Sequence, residues 1–449
     1  MVGVSLSRWT MSYFATALVA LLAAEILMAA GFGFPAVAIA SPDTLILVHV
    51  VAIGWLSLLM CGALLQFLPV LVAQPLHSNT LAVPALVSLI AGLAALVLAF
   101  LQLGGRIDLG APFFTIAATL LSLGFALVLY NLVRTMISSK TVPLPAWFVA
   151  AGLASVVAAV ALGVIFSLVL GGVIESRPFV ALVGAGLPIH VIAGLGGWLT
   201  FTAVGVSYRL LAMFMLAPEL ERASTKSAFY LGTAALAIVI IGGVVTVLVE
   251  GNLSLTFLAA LAVALPAFAF YGVDIVHLYR ARKRRNIELN SRTAGIALGY
   301  LGASVALIVV LLALGRLGDH VGAVVFLVAF GWLTGLGLSQ LYKIVAFLTW
   351  LECYGPVLGK IQTPRVQDLV VEARAIKWFI LYFASVGVGA IALLADAPTV
   401  FRVVAVAMVV GTAGIAAQLI RTRRLADVKA EARLPQGVQI PHLLLSCHT

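Results

Sequence analysis

Three histidines and one glutamate are the residues here best placed for chemistry, because each falls in a run apolar enough to cross a bilayer. His49 opens HVVAIGWLSLLMCGALLQFLP, His190 opens HVIAGLGGWLTFTAVGVSYRLLAMF and His320 opens HVGAVVFLVAFGWLTGLGLSQLYKIVAFL. Glu25 sits in LVALLAAEILMAAGFGF. An ionisable side chain at such depth is costly, and it usually faces the protein interior, where it ligates, pairs or relays a proton. A neutral imidazole suits a metal ion through one ring nitrogen while the other is hydrogen-bonded. Glu25 lies about eight residues, or roughly 12 Å at helical rise, from the outer end of its span. His49 lies about six residues, or roughly 9 Å, in from the same side. At a shared depth Glu25 can orient the His49 ring through its second nitrogen, or simply be a protonated acid bonded to a backbone carbonyl.

The elements that position these groups repeat. Gly54-Trp55, Gly197-Trp198 and Gly331-Trp332 mark three copies of one unit. With the tryptophans superposed, Ser57 falls on Thr200 and Thr334, Gly62 on Gly205, and Gln66 on Arg209 and Lys343. His190 then lies two residues upstream of the His49 position and His320 six upstream. Depth therefore pairs His49 with His190. Gly194, Gly196 and Gly197 allow close helix approach or a large flat ligand. Arg209 and Lys343 read as residues that snorkel to the inner interface; with Gln66 they also mark a polar path for a proton or anion.

With 63% hydrophobic and 9% charged residues among 449, the chain has too much apolar surface for a water-soluble domain. The pattern predicts an all-α polytopic membrane protein of about twelve helices, since the apolar runs are long and unbroken. They cover residues 11–33, 44–73, 80–103, 111–137, 147–173, 188–216, 227–249, 254–278, 293–314, 320–351, 377–395 and 398–420. The repeat divides this single transmembrane domain into three four-helix arcs, 1–140, 141–290 and 291–420, with a cytoplasmic tail at 421–449. The net charge of +10 gathers in alternate loops, after spans 8, 10 and 12. That places both termini in the cytoplasm and argues against a nucleic-acid partner. Asp274 and His277, beside the basic loop after span 8, need only solvation. Cys61, Cys353 and Cys447 are scattered, so neither a disulfide framework nor a cysteine metal site is indicated. Cys447-His448 reads as an unstructured end.

With a histidine near the outer start of spans 2, 6 and 10, and its closest match over His49 to Pro69, the chain resembles subunit I of the haem-copper oxidase and nitric-oxide reductase superfamily. The resemblance implies a low-spin haem b held by His49 and His320, in a bacterial inner membrane, fed by a cytochrome or quinone donor or by another membrane subunit. It also exposes a departure. That family's catalytic centre needs three copper-binding histidines and one more for a high-spin haem, whereas His190 matches at most one of them. Copper is therefore not expected, and the missing ligands point away from terminal-oxidase catalysis while leaving enzymatic activity open.

The expectation is a haem b-binding membrane protein that transfers electrons or senses or handles a diatomic gas such as NO or O2. Two alternatives stand beside it. One is a secondary transporter with twelve spans. The other is a non-standard nitric-oxide or oxygen reductase with a five-coordinate haem and Glu25 as proton relay.

Overall fold

The computed structural model describes residues 8–434, 436–438 and 440–445; Cys447-His448 lies outside them. Every regular element among the described residues is helical. Twelve helices are long and apolar enough to cross a membrane: α1 (Thr10–Ala30), α2 (Pro42–Leu71), α3 (Ala82–Leu103), α4 (Phe113–Ile137), α5 (Leu144–Leu170), α6 (Leu187–Met215), α7 (Ala223–Leu248), α8 (Leu253–Arg280), α9 (Leu289–Ala313), α10 (Val321–Val357), α11 (Glu372–Leu394) and α12 (Pro398–Arg423). Their starts follow local chemistry. Ser41 caps α2 by accepting from the Thr44 amide, with Pro42 in the first turn, where its missing N–H costs nothing. Asn252 does the same for α8 through the Ser254 and Leu255 amides.

The chain divides into two compact units, Met1–Gln66 with Glu288–Thr449, and Phe67–Ile287. The first holds α1, most of α2 and α9–α12, and the second holds α3–α8. Packing thus groups the helices by six.

In the first unit α1 packs on α2 and α12, α11 on α12, and α10 on α2, α9, α11 and α12. Accordingly α10 is the most enclosed helix, 78% of its most apolar window being buried. In the second unit α3 pairs with α4, α5 with α6, and α7 with α8. Gly331 on α10 lets the Tyr300 side chain of α9 come up against the backbone, its Cγ 2.8 Å from where a Cβ would stand. Gly197 on α6 admits Ser155 of α5 in the same way. These glycines are occupied by neighbouring helices.

One end of the first unit is closed by charge. Arg423 on α12 is 3% exposed, pairs with Glu352 of α10 at 2.5 Å, and donates to the His442 and Leu445 carbonyls at 2.7 and 3.0 Å. Asp427 accepts from Arg421 at 2.6 Å and from Arg374 of α11 at 2.8 Å. Burial pushes the Asp427 carboxyl up, but hydrogen bonds and charge from Arg421 and Arg374 outweigh it and hold the group below its ordinary 3.8. A depressed folded-state value stabilises above 3.8, and that stabilisation is lost as pH falls through the lower folded value. Protection of residues 421–434 from hydrogen exchange in detergent, taken relative to the intrinsic rate at each pH, should therefore be high at neutral pH and fall below pH 3.8. In Asp427→Asn it should be low throughout.

Candidate functional site

All three Gly-Trp copies lie in π-helical turns: Val50–Ser57, Ile192–Phe201 and Leu327–Thr334. A π turn widens the backbone and shifts carbonyls off the regular ladder, a feature frequent at functional sites. The repeated hydroxyl explains how two of these turns are satisfied in lipid. Ser57 Oγ donates to the Ala52 carbonyl and Thr334 Oγ1 to the Ala329 carbonyl, each at 2.7 Å and each five residues back. The motif Gly-Trp-Leu-Ser/Thr is thus written into the backbone geometry.

His49 stands immediately before its π turn, at the end of the preceding α-helical segment. Its Nδ1 lies 2.7 Å from the Leu45 carbonyl. A carbonyl only accepts, so Nδ1 carries the proton and the lone pair sits on Nε2, the arrangement that ligating histidines use. His190 stands two residues before its own π turn, in the second unit, its ring against Gly163 and tilted on Phe166 at 5.5 Å. His320 precedes the first turn of α10, is 6% exposed, and has no hydrogen-bond partner at Nδ1.

The first unit also fixes the register of His49 against His320. Trp55 Nε1 donates to Thr334 Oγ1 at 2.8 Å, and both side chains are fully enclosed. His49 precedes Trp55 by six residues, while His320 precedes Thr334 by fourteen. The eight-residue difference is roughly 12 Å along helices running the same way. The two imidazoles therefore do not share a level as a six-coordinate haem needs. Fit to a haem is one-sided: the His49 tautomer suits an axial ligand, and the His49/His320 pair does not suit one iron. Among the described residues, no three His, Cys, Asp or Glu side chains cluster as a metal site.

Glu25 is completely buried, but its hydrogen bond comes from Thr412 of α12, whose Oγ1 donates to Oε1 at 2.8 Å. The structure thus shows Glu25 with Thr412 and the His49 Nδ1 with Leu45. The Glu25 Oε2 has no partner. Tyr382 of α11 lies within electrostatic reach of Glu25 and beside Thr334, and its hydroxyl donates to the Phe330 carbonyl at 2.9 Å. Trp55, Thr334, Tyr382, Glu25 and Thr412 form a dry polar cluster on five helices of one unit.

Arg209 pairs with Glu219, and Lys343 pairs with Glu288 at 2.6 Å with both side chains 14% exposed. Gln66 is buried at the last position of the first unit. Sequence reasoning missed Asp274. It is fully enclosed rather than solvated, and accepts from Tyr208, Ser224 and Thr225 at 3.0, 2.5 and 2.9 Å. The signal was the Ser224-Thr225 pair opening α7 and a tyrosine on α6, which only the fold brings together.

No protein-family model matches this chain, and none of the curated proteins matches it.

The hydroxyl of Thr334 serves both the π turn and Trp55, so Thr334→Val should orphan a buried indole N–H as well as a carbonyl. Thermal unfolding in detergent should show a loss of about 1–3 kcal/mol, while Thr334→Ser stays near the parent. Equal stability of the valine variant would refute the shared role.

Proposed function

We propose that this is a b-type haem protein of the membrane interior, with His49 as the iron ligand, serving electron transfer or the handling of a diatomic gas. The reading is supported by the resemblance of the His49–Pro69 stretch to the oxidase and nitric-oxide reductase subunit. The observation that carries it is the Nδ1–H of His49 given to the Leu45 carbonyl at the mouth of a π turn. That bond fixes ring orientation and raises the basicity of Nε2. Bound there, haem would supply one-electron chemistry and the capacity to bind a diatomic gas. The chain's part is to hold the ring still. The Trp55–Thr334 bond, fully enclosed, clamps α2 to α10 six residues along from His49. Expression in a haem-replete bacterial host should yield protein with a Soret band and about one iron per chain. His49→Ala should remove both, and His320→Ala should spare them. A wild-type preparation without iron or Soret absorption would sink the assignment.

A second reading rests on Glu25. A carboxyl at membrane depth, with one oxygen hydrogen-bonded and the other open, is a group that can take up and release a proton, as in proton-coupled transporters. In liposomes containing a pH dye, an imposed inside-negative potential should drive proton entry that Glu25→Gln abolishes. Influx unchanged in that variant, or none in the parent, removes Glu25 from any proton path.

A further inference from the structure

The end of the second unit at which α7 starts and α8 stops is strongly basic. Asp274 of α8 accepts from Thr225 of α7 at 2.9 Å, which sets the register of the two helices. Arg280 lies six residues on from Asp274, roughly 9 Å further along the helix, and the chain then runs Arg282-Lys283-Arg284-Arg285. Arg222 and Lys226 flank Thr225 at the start of α7. The basic segment is tied to the bundle. The Arg284 amide donates to the Met215 carbonyl at the end of α6 at 3.3 Å, and Arg282 Nη1 donates to the Tyr279 carbonyl at 2.5 Å.

Arg222, Lys226, Arg280, Lys283 and Arg285 are exposed, and among the described residues none of the five has an ion-pair partner. Elsewhere the chain does pair its basic groups: Arg209 with Glu219, Lys343 with Glu288, Arg374 and Arg421 with Asp427, and Arg423 with Glu352. Of the carboxylates at this end of the second unit, Asp274 is enclosed among hydroxyls and Glu219 is taken by Arg209. That leaves Glu221 to set against the five. Membrane orientation asks for basic loops on one side, but not for unmatched charge gathered beside one helix pair.

The neighbouring helix face indicates the kind of anion that fits. Of the twelve helices α8 is the least enclosed, with 11% of its most apolar window buried. Phe270, Val273 and Val276 are exposed at helical spacing on the face that leads to Arg280, and a Cβ on Gly272 would meet nothing within 4 Å. On α7 the exposed Tyr230 stands one turn inward from Lys226. An apolar column that ends in unmatched cations is complementary to a molecule carrying both features, an acyl chain below a negatively charged headgroup. A soluble acidic partner would use the charges and leave the column bare.

We propose that Arg280, Lys283 and Arg285, with Arg222 and Lys226, bind the phosphate headgroup of an anionic glycerophospholipid whose acyl chain lies along α8. Each basic side chain close to an anionic lipid headgroup strengthens binding about fivefold. Full-length protein in detergent should be titrated with dioleoylphosphatidylglycerol and, separately, with dioleoylphosphatidylcholine, and the bound lipids counted by native mass spectrometry. The first phosphatidylglycerol should bind at least about tenfold more tightly than the first phosphatidylcholine, which has the same chains and phosphate but no net charge. The combined Arg280→Gln, Lys283→Gln and Arg285→Gln variant should bring the two lipids within about twofold of each other. The charge-conserving Arg280→Lys, Lys283→Arg and Arg285→Lys variant should keep the preference. Millimolar sn-glycerol 3-phosphate, which lacks acyl chains, should not displace the bound lipid. Equal binding of the two lipids by the unmodified protein, a comparison that depends on no variant folding, overturns the proposal. So does a preference that survives in the glutamine variant. Displacement by glycerol phosphate means a site for soluble phosphates and overturns the lipid assignment.

Discussion

A polar group inside a bilayer has no solvent to fall back on, so whatever hydrogen bond it needs must come from the protein. The bond from Trp55 to Thr334 is where that constraint bears hardest on this chain. A π turn frees backbone carbonyls, a serine or threonine five residues on returns a hydroxyl to one of them, and the same threonine oxygen receives the indole of another helix. Local backbone shape and helix–helix register are thus set by one side chain. Such bonds in membranes are individually modest, averaging about 0.6 kcal/mol. What matters is that none of the groups has an alternative.

Much of this architecture was legible in the residues. Twelve apolar runs gave twelve helices, because lipid tolerates little else. The repeated Gly-Trp pairs pointed to a local structure used three times, though not to its kind. Nothing in GWLS or GWLT states that the backbone must widen, since Gly, Trp, Leu and Thr are all tolerated in an ordinary helix. Side-chain partnership was far less legible. Glu25 and His49 agree in depth along their own helices, but depth says nothing about which face each presents. Thr412, nearly four hundred residues away, is the group the structure puts against Glu25. Asp274 was misjudged for the same reason: its three hydroxyl donors come from α6 and α7.

The carboxylates of the molecule are handled in three different ways. Asp274 is surrounded by hydroxyls, Glu352 is neutralised by the enclosed Arg423 guanidinium, and Glu25 is left with one oxygen open. Satisfied buried networks rigidify a fold, whereas an incomplete one is where chemistry or binding is expected. By that standard Glu25 differs from Asp274 and Glu352. Among the glycines of the repeat, Gly197 and Gly331 are taken up by Ser155 and Tyr300 of adjoining helices, whereas no atom comes within 4 Å of where a Cβ on Gly194 would stand.

The discontinuity of the first unit has a consequence for biosynthesis. Its helix α1 and most of α2 are made before Phe67–Ile287, and α10 and α12 only afterwards. At translation speeds of about 5–20 residues per second, that interval is on the order of ten to forty seconds. Throughout it, the Trp55 indole and the Glu25 carboxyl sit in newly inserted helices whose hydroxyl partners have yet to be synthesised. The early helices must be sheltered, by the translocon or an insertase, until Thr334 and Thr412 emerge. The contiguous α3–α8 unit faces no such wait.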